Sequence, residues 1–160
     1  MRLTIVGNSG SGKSTLARRI AAEQEIDVLD LDTVAWEPGP ARALRSTAAA
    51  SADVRAFCEA RDAWIVEGCY AGLVEATLGY LPELVFMDPG LETCLANCRA
   101  RPWEPHKYAS KAEQDANLGF LLEWVADYYS REGDLSFASH VELFESYAGS
   151  KRRVRSIGGP

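Results

Sequence analysis

Gly7-Asn8-Ser9-Gly10-Ser11-Gly12-Lys13-Ser14, followed by Thr15, fulfils the pattern G-x-x-x-x-G-K-[ST]. Residues of these types at this spacing hold phosphate. Glycines let the backbone curl until successive N–H groups point inward, and a helix begun at Lys13 aims the positive end of its dipole at the same anion. Lys13 adds a mobile ammonium that can follow the β- and γ-phosphates during transfer, and the Ser14 hydroxyl is placed to ligate magnesium. A glycine turn that merely capped a helix would give Lys and Ser no reason to follow Gly12. The ligand this loop implies is a nucleoside triphosphate, ATP with Mg2+.

Carboxylates near the phosphates would supply the remaining chemistry. Asp30 and Asp32 follow an apolar run with one residue between them, and an extended backbone would project both to the same side. One can bind the metal, directly or through water, while the other orients or deprotonates an acceptor hydroxyl. Glu67 closes the run Trp64-Ile65-Val66-Glu67-Gly68, where its carboxylate can hold metal-bound water or substrate. Helix caps and solvated turns are the competing uses of such acids.

Arg99, Arg101, Lys107 and Lys111 fall in a polar stretch rich in proline. Transfer of a phosphoryl group spreads charge over its oxygens, and a basic side chain closing over them stabilises that charge and excludes water. A solvated charge run is the alternative. Trp36, Tyr70, Trp103 and Tyr108 can stack on a base or ring, although lone aromatics more often serve packing.

These residues need a scaffold. Leu3 to Val6 reads as a strand ending at Gly7, and Lys13 to Glu23 as a helix with Leu16, Ile20 and Ala21 on one face. A second strand is expected over Ile26 to Leu31, then a loop through Trp36, Pro38, Gly39 and Pro40. Ala41 to Ala52 is alanine-rich and weakly patterned, hence exposed or mobile. A helix from about Ser51 to Arg61 leads to a third strand at Trp64 to Val66. Leu84 to Met87 forms a fourth, and Leu91, Cys94, Leu95 and Cys98 mark a helix after it. An irregular excursion from Arg99 to Lys111 precedes a long amphipathic helix over Ala112 to Arg131 and another over Ser136 to Tyr147. Val154 and Ile157 indicate a last short strand. Strands alternating with helices imply a mainly parallel sheet covered on both faces. In such sheets ligands collect beyond the carboxyl ends of the strands, where the loop and all three acids fall.

The 160 residues, 47% hydrophobic, suffice for one core and are too few for two ordinary domains, so residues 1–160 are expected to form a single one. A net charge of −6 disfavours nucleic acid or anionic lipid as partner. With no apolar run of membrane-spanning length and no signal-peptide layout, the expected location is cytoplasmic. Cys58, Cys69, Cys94 and Cys98 are expected as free thiols. A monomer or homodimer fits; the sequence does not choose between them.

Gly7 to Thr15, Leu31-Asp32 with Asp30, the strand end Glu67-Gly68-Cys69-Tyr70, and Arg99-Ala100-Arg101-Pro102 together resemble the adenylate kinase and shikimate kinase branch of P-loop kinases, small adenylate-kinase-like or topology-modulation proteins included. The resemblance implies an α/β, three-layer P-loop NTPase fold with a five-stranded parallel sheet ordered 2-3-1-4-5, and a lid after strand 4, here about residues 99–115. It implies Mg-ATP as phosphoryl donor to a small-molecule acceptor. Carried over residue by residue, Asp30 meets the metal with Ser14, Asp32 meets the acceptor hydroxyl, and Arg101, or less directly Arg99, reaches the nucleotide's phosphates. Trp36, Glu67, Gly68 and Tyr70 are then expected to line the acceptor site. The chain departs from shikimate-binding members, which carry a glycine run where it has Glu67-Gly68-Cys69, and for an acceptor phosphate it offers only Arg42, Arg45 and Arg55. A nucleotide-dependent regulatory module without a small-molecule acceptor is the alternative from another functional class.

Overall fold

A computed structural model of the chain describes residues 1–39 and 41–156. Strands β1 (Arg2–Gly7), β2 (Val28–Asp30), β3 (Trp64–Gly68), β4 (Glu83–Met87) and β5 (Lys151–Val154) form one parallel sheet in the order β2-β3-β1-β4-β5. Helices α1 (Lys13–Gln24), α2 (Asp32–Ala35), α3 (Thr47–Glu59), α4 (Ala71–Leu78), α5 (Leu91–Ala100), α6 (Lys111–Ala126) and α7 (Phe137–Ser146) connect and cover it.

The two-residue period of the strands sorts their side chains between two layers. Leu3, Ile5, Ile65, Val85 and Met87 pack with Leu16, Ala17 and Ile20 of α1. Val6, Trp64, Val66, Leu84 and Phe86 face the other way, against α3, α4 and α7. With both faces covered, β1, β3 and β4 read as near-continuous apolar runs. A third cluster joins α5 to α6 through Cys94, Cys98 and Val125, so the helices flanking the irregular segment 101–110 rest on each other.

Local chemistry explains the departures from expectation. β2 starts at Val28, two residues later than its apolar run, because Ile26 is spent closing α1: its N–H bonds the Ala21 carbonyl. The alanine-rich segment is ordered from Thr47 onward, since Ser46 caps α3 by accepting the Ala49 N–H at 3.2 Å and alanine has the highest helix propensity. Helix α4 is short, contains Gly72 and is apolar around much of its surface, which erases the amphipathic period. The long helix stops at Ala126, and Asp127–Tyr129 form a 3-10 turn. Ile157 and Pro40 lie outside the described residues. Among those described, no helix is long and apolar enough to cross a membrane, and all four cysteines are free and buried.

One buried histidine pins the strand end that carries the site. His140 of α7 is fully buried, with Nε2 2.7 Å from the Cys69 carbonyl and Nδ1 2.7 Å from the Tyr128 hydroxyl. A carbonyl only accepts, so Nε2 carries the proton and Nδ1 accepts from Tyr128. Burial pushes the imidazole down to about 4, the Cys69 bond opposes it, and the charges of Lys13 and Arg131 assist. The unfolded state therefore binds the extra proton first. Stability contributed by neutral His140 is complete above about pH 6.5 and is lost as pH falls towards 4, on the order of 3 kcal/mol. Denaturant titrations from pH 7 to 4 should show this loss in the native protein, and His140→Gln should flatten it. An equal slope in both would remove His140 as its source.

Candidate functional site: a phosphate loop facing three carboxylates

The loop after β1 is held open by backbone conformations that suit glycine. Gly10 and Gly12 have φ of 77° and 93°. A Cβ on Gly10 would also run into the Cys94 carbonyl oxygen and lie 2.8 Å from Cys98 Sγ. The loop is thus seated on α5. Asn97 Nδ2 donates to the Gly10 carbonyl at 2.8 Å, and Asn8 Nδ2 donates to the Val125 carbonyl at the end of α6, at 3.2 Å. With the Gly10 carbonyl tied to Asn97, and no side chain capping α1 at Gly12, the first amides of that helix remain for an anion. Lys13 is buried and its Nζ donates to the Asn8 carbonyl at 2.8 Å. Gly10→Ala should cut Mg-ATP affinity at least about 10-fold, because the strain and the backbone clash fall on the nest itself. Calorimetric titration of the folded variant tests this, and unchanged affinity would remove Gly10 from the binding surface.

Asp30 ends β2 opposite Glu67 of β3, and Ser14 Oγ donates to Glu67 Oε1 at 2.6 Å. Burial and the neighbouring Asp32 raise the Asp30 carboxyl above the usual range. Burial raises Glu67 as well, Lys13 and Ser14 opposing it while Asp30 and Asp32 add to it. The two acids of the Asp-x-Asp pair do not share an extended strand. The chain turns into α2 at Asp32, whose N–H donates to Asp30 Oδ1 at 2.9 Å, so each carboxylate has its own surroundings. Gly68 supports this turn, because a Cβ there would lie 2.7 Å from Leu31 Cβ.

Asp32 is held from two sides. Tyr70 donates its hydroxyl to Asp32 Oδ1 at 2.6 Å, and Trp36 Nε1 donates to the Tyr70 oxygen at 3.0 Å. Lys107 Nζ lies 3.4 Å from Asp32 Oδ2, reaching in from the segment between α5 and α6. Burial works against ionisation of Asp32, but Tyr70, Lys107 and Lys13 together hold its carboxyl below the ordinary range.

The structure thereby brings Lys13, Ser14, Asp30, Asp32, Glu67, Gly68, Trp36 and Tyr70 to one end of the sheet. Trp36 and Tyr70 form a hydrogen-bonded relay to Asp32 as well as aromatic surface. Arg101 folds back on its own segment, Nη1 3.7 Å from Glu104 Oε2 and Nη2 donating to Cys98 Sγ at 3.9 Å, beside the Gly10 seat. Arg99 is exposed in the last turn of α5, as is Thr15 in α1. Of the loose arginine candidates, Arg45 donates to the Val34 carbonyl and pairs with Asp53, and Arg42 lies over the Trp36 ring. Sequence reasoning missed Asn97; a polar residue beside the buried Cys94–Cys98 stripe was the available signal. It named Lys107 only among several basic residues, because the turn that brings it to Asp32 has no periodicity.

A five-stranded parallel sheet ordered 2-3-1-4-5, with a G-x-x-x-x-G-K-S loop between β1 and α1, defines the P-loop NTPase fold. Solved structures share it, two of them as follows. One is a gluconokinase from Sinorhizobium meliloti 1021, at 16% identity and TM-score 0.56, covering 99% of this chain and 83% of that one. The other is a sugar kinase from Janibacter sp. HTCC2649, at 14% identity and TM-score 0.53, covering 95% of this chain and 83% of that one. At such identities the likeness is one of fold. No model of a protein family and no curated protein matches the sequence.

Proposed function

We propose that this chain is an ATP- and Mg2+-dependent kinase that transfers the γ-phosphate to the hydroxyl or phosphate of a small molecule, a nucleoside, a nucleotide or a shikimate-like metabolite, within the adenylate and shikimate kinase-like branch. The observation that carries the reading is Asp32, an ionised carboxylate clamped by Tyr70 at the rim that Lys13 and Ser14 face, and reached by a basic side chain from the segment after α5. The names of the two structures with this fold, a gluconokinase and a sugar kinase, agree with a hydroxyl-bearing acceptor.

In this reading the amides from Gly7 to Thr15 bind the phosphates, and Lys13 leaves the Asn8 carbonyl for the γ-phosphate. Ser14 and Asp30, with Glu67 beside them, are oxygen donors that fit Mg2+: two carboxylates that burial and neighbouring acids disfavour as anions would be relieved by a cation, with the nucleotide's phosphates as further oxygen donors. Bound there, the metal neutralises charge on the phosphates. Asp32 orients the acceptor hydroxyl and receives its proton as the new P–O bond forms. Trp36, Gly68 and Tyr70 shape the acceptor side, and Arg101, with Arg99 at the edge, closes from the lid at residues 99–115.

Calorimetry with Mg-ATP and coupled ADP-release assays against nucleosides, sugars and hydroxy acids test the proposal. An acceptor that stimulates ADP release and is recovered phosphorylated is the expected result. Nucleotide binding with slow hydrolysis that no acceptor accelerates would instead assign the chain to a regulatory class.

A further inference from the structure

Lys107 is held in place with unusual care for a residue of an irregular segment. Its own N–H and that of Tyr108 both bond the Glu104 carbonyl at 3.0 Å. Around it, Gln114 clasps the segment, accepting from the Glu104 N–H at 2.8 Å and donating to the Pro102 carbonyl at 3.0 Å. Trp103 Nε1 donates to the Tyr108 carbonyl at 3.0 Å, and Asn117 donates to the Tyr108 hydroxyl at 3.1 Å. The loop is therefore a built unit standing on α6, and it aims one ammonium at Asp32.

That ammonium takes the oxygen the chemistry needs. Asp32 Oδ1 already accepts from Tyr70, which Trp36 backs from behind, so Oδ2 is the less engaged oxygen for an acceptor or a water. Lys107 Nζ stands 3.4 Å from Oδ2; among the described residues Glu104 Oε1, at 3.9 Å, is its other ion-pair partner, and the more distant Asp30 adds to the negative field around it.

We propose, resting on the kinase reading above, that Lys107 is a plug on the general base, which keeps Asp32 from activating water until an acceptor hydroxyl displaces the ammonium from Oδ2. The reaction it suppresses is plain hydrolysis. A water oxygen bonds to the γ-phosphorus, the bond to the bridging oxygen breaks with its electron pair leaving on ADP, and the water proton passes to Asp32 Oδ2. With the ammonium seated there, Oδ2 is a weaker acceptor for that proton. An acceptor with a hydroxyl fixed by further contacts can compete for the oxygen where a free water does not. Lys107 thus acts through Asp32, as a positioning residue that discriminates acceptor from solvent.

The test needs no knowledge of the acceptor. ADP release from Mg-ATP alone is measured for the full chain, for Lys107→Met, and for Lys107→Met combined with Asp32→Asn. The expected result is an acceptor-independent rate raised about 10-fold in Lys107→Met, a fraction of the 10²–10⁴ that a positioned base supplies, and returned to the starting level by the added Asp32→Asn. Lys107→Arg, which keeps the charge, should stay near the parent rate, and Lys107→Gln, which keeps most of the length, should follow Met. A folded Lys107→Met or Lys107→Gln protein with unchanged or slower hydrolysis overturns the plug while leaving the kinase reading intact. A rise that survives Asp32→Asn also overturns it, since the effect would then not pass through the base. Failure of the parent chain to bind Mg-ATP at all would sink the kinase reading first and the plug with it.

Discussion

Lys13→Ala should lower phosphoryl transfer by at least about 10³-fold, some 4 kcal/mol of transition-state stabilisation. The magnitude follows from where the charge sits. Negative charge on the transferring phosphoryl group spreads over three oxygens, and an ammonium aimed at them from a largely buried position interacts far more strongly than one in water. Lys13 has that position, being only 7% exposed. The same substitution removes the 2.8 Å bond to the Asn8 carbonyl, so part of the loss will appear as weaker nucleotide binding. Separating the two requires kcat at saturating Mg-ATP beside a calorimetric affinity. A folded Lys13→Ala protein that kept its turnover would remove the phosphate loop from the mechanism.

The parts of the molecule legible in the sequence are those whose physics is local. The glycine loop could be read because the spacing of Gly7, Gly12, Lys13 and Ser14 is set by the ligand's shape. Buried parallel strands could be read as unbroken apolar runs. The turn at Asp32 could not, because it depends on a tertiary event: Leu31 packs against Gly68 of β3, and its N–H bonds the Glu67 carbonyl, which ends β2 at Asp30 and starts α2. An extended Asp-x-Asp was therefore the wrong geometry for these two residues. Helix α4 was invisible for the opposite reason. Buried against α3, α7 and the sheet, it has no polar stripe from which a period could be read. Lys107 was legible as a charge and not as a partner, since its reach to Asp32 rests on side-chain bonds from Gln114 and Asn117, in the helix that follows.

Asp32→Asn should lower kcat by about 10²- to 10³-fold with little change in Mg-ATP affinity. Asparagine keeps the shape, and its carbonyl can still accept the Tyr70 hydroxyl, so the aromatic relay from Trp36 should persist. What disappears is the charge at Oδ2. An objection is that a carboxyl held below its ordinary range is a poor base at neutral pH. The objection weakens for this chemistry. In a loose phosphoryl transition state the hydroxyl is hardly bonded to phosphorus, its proton remains weakly acidic until late, and the carboxylate is needed chiefly to orient the hydroxyl and to receive the proton at the end. Asp32, held towards its ionised form, suits that role better than Asp30, whose carboxyl is raised by burial and by Asp32, or Glu67, whose carboxyl is raised by burial, Asp30 and Asp32. The contrast separates the assignments: Asp30→Asn should act mainly on the Mg2+ requirement, shifting the concentration that gives half-maximal rate, whereas Asp32→Asn should leave that concentration in place and depress the plateau. If instead Asp32→Asn moved the Mg2+ requirement and Asp30→Asn depressed the plateau, the roles of the two acids would have to be exchanged.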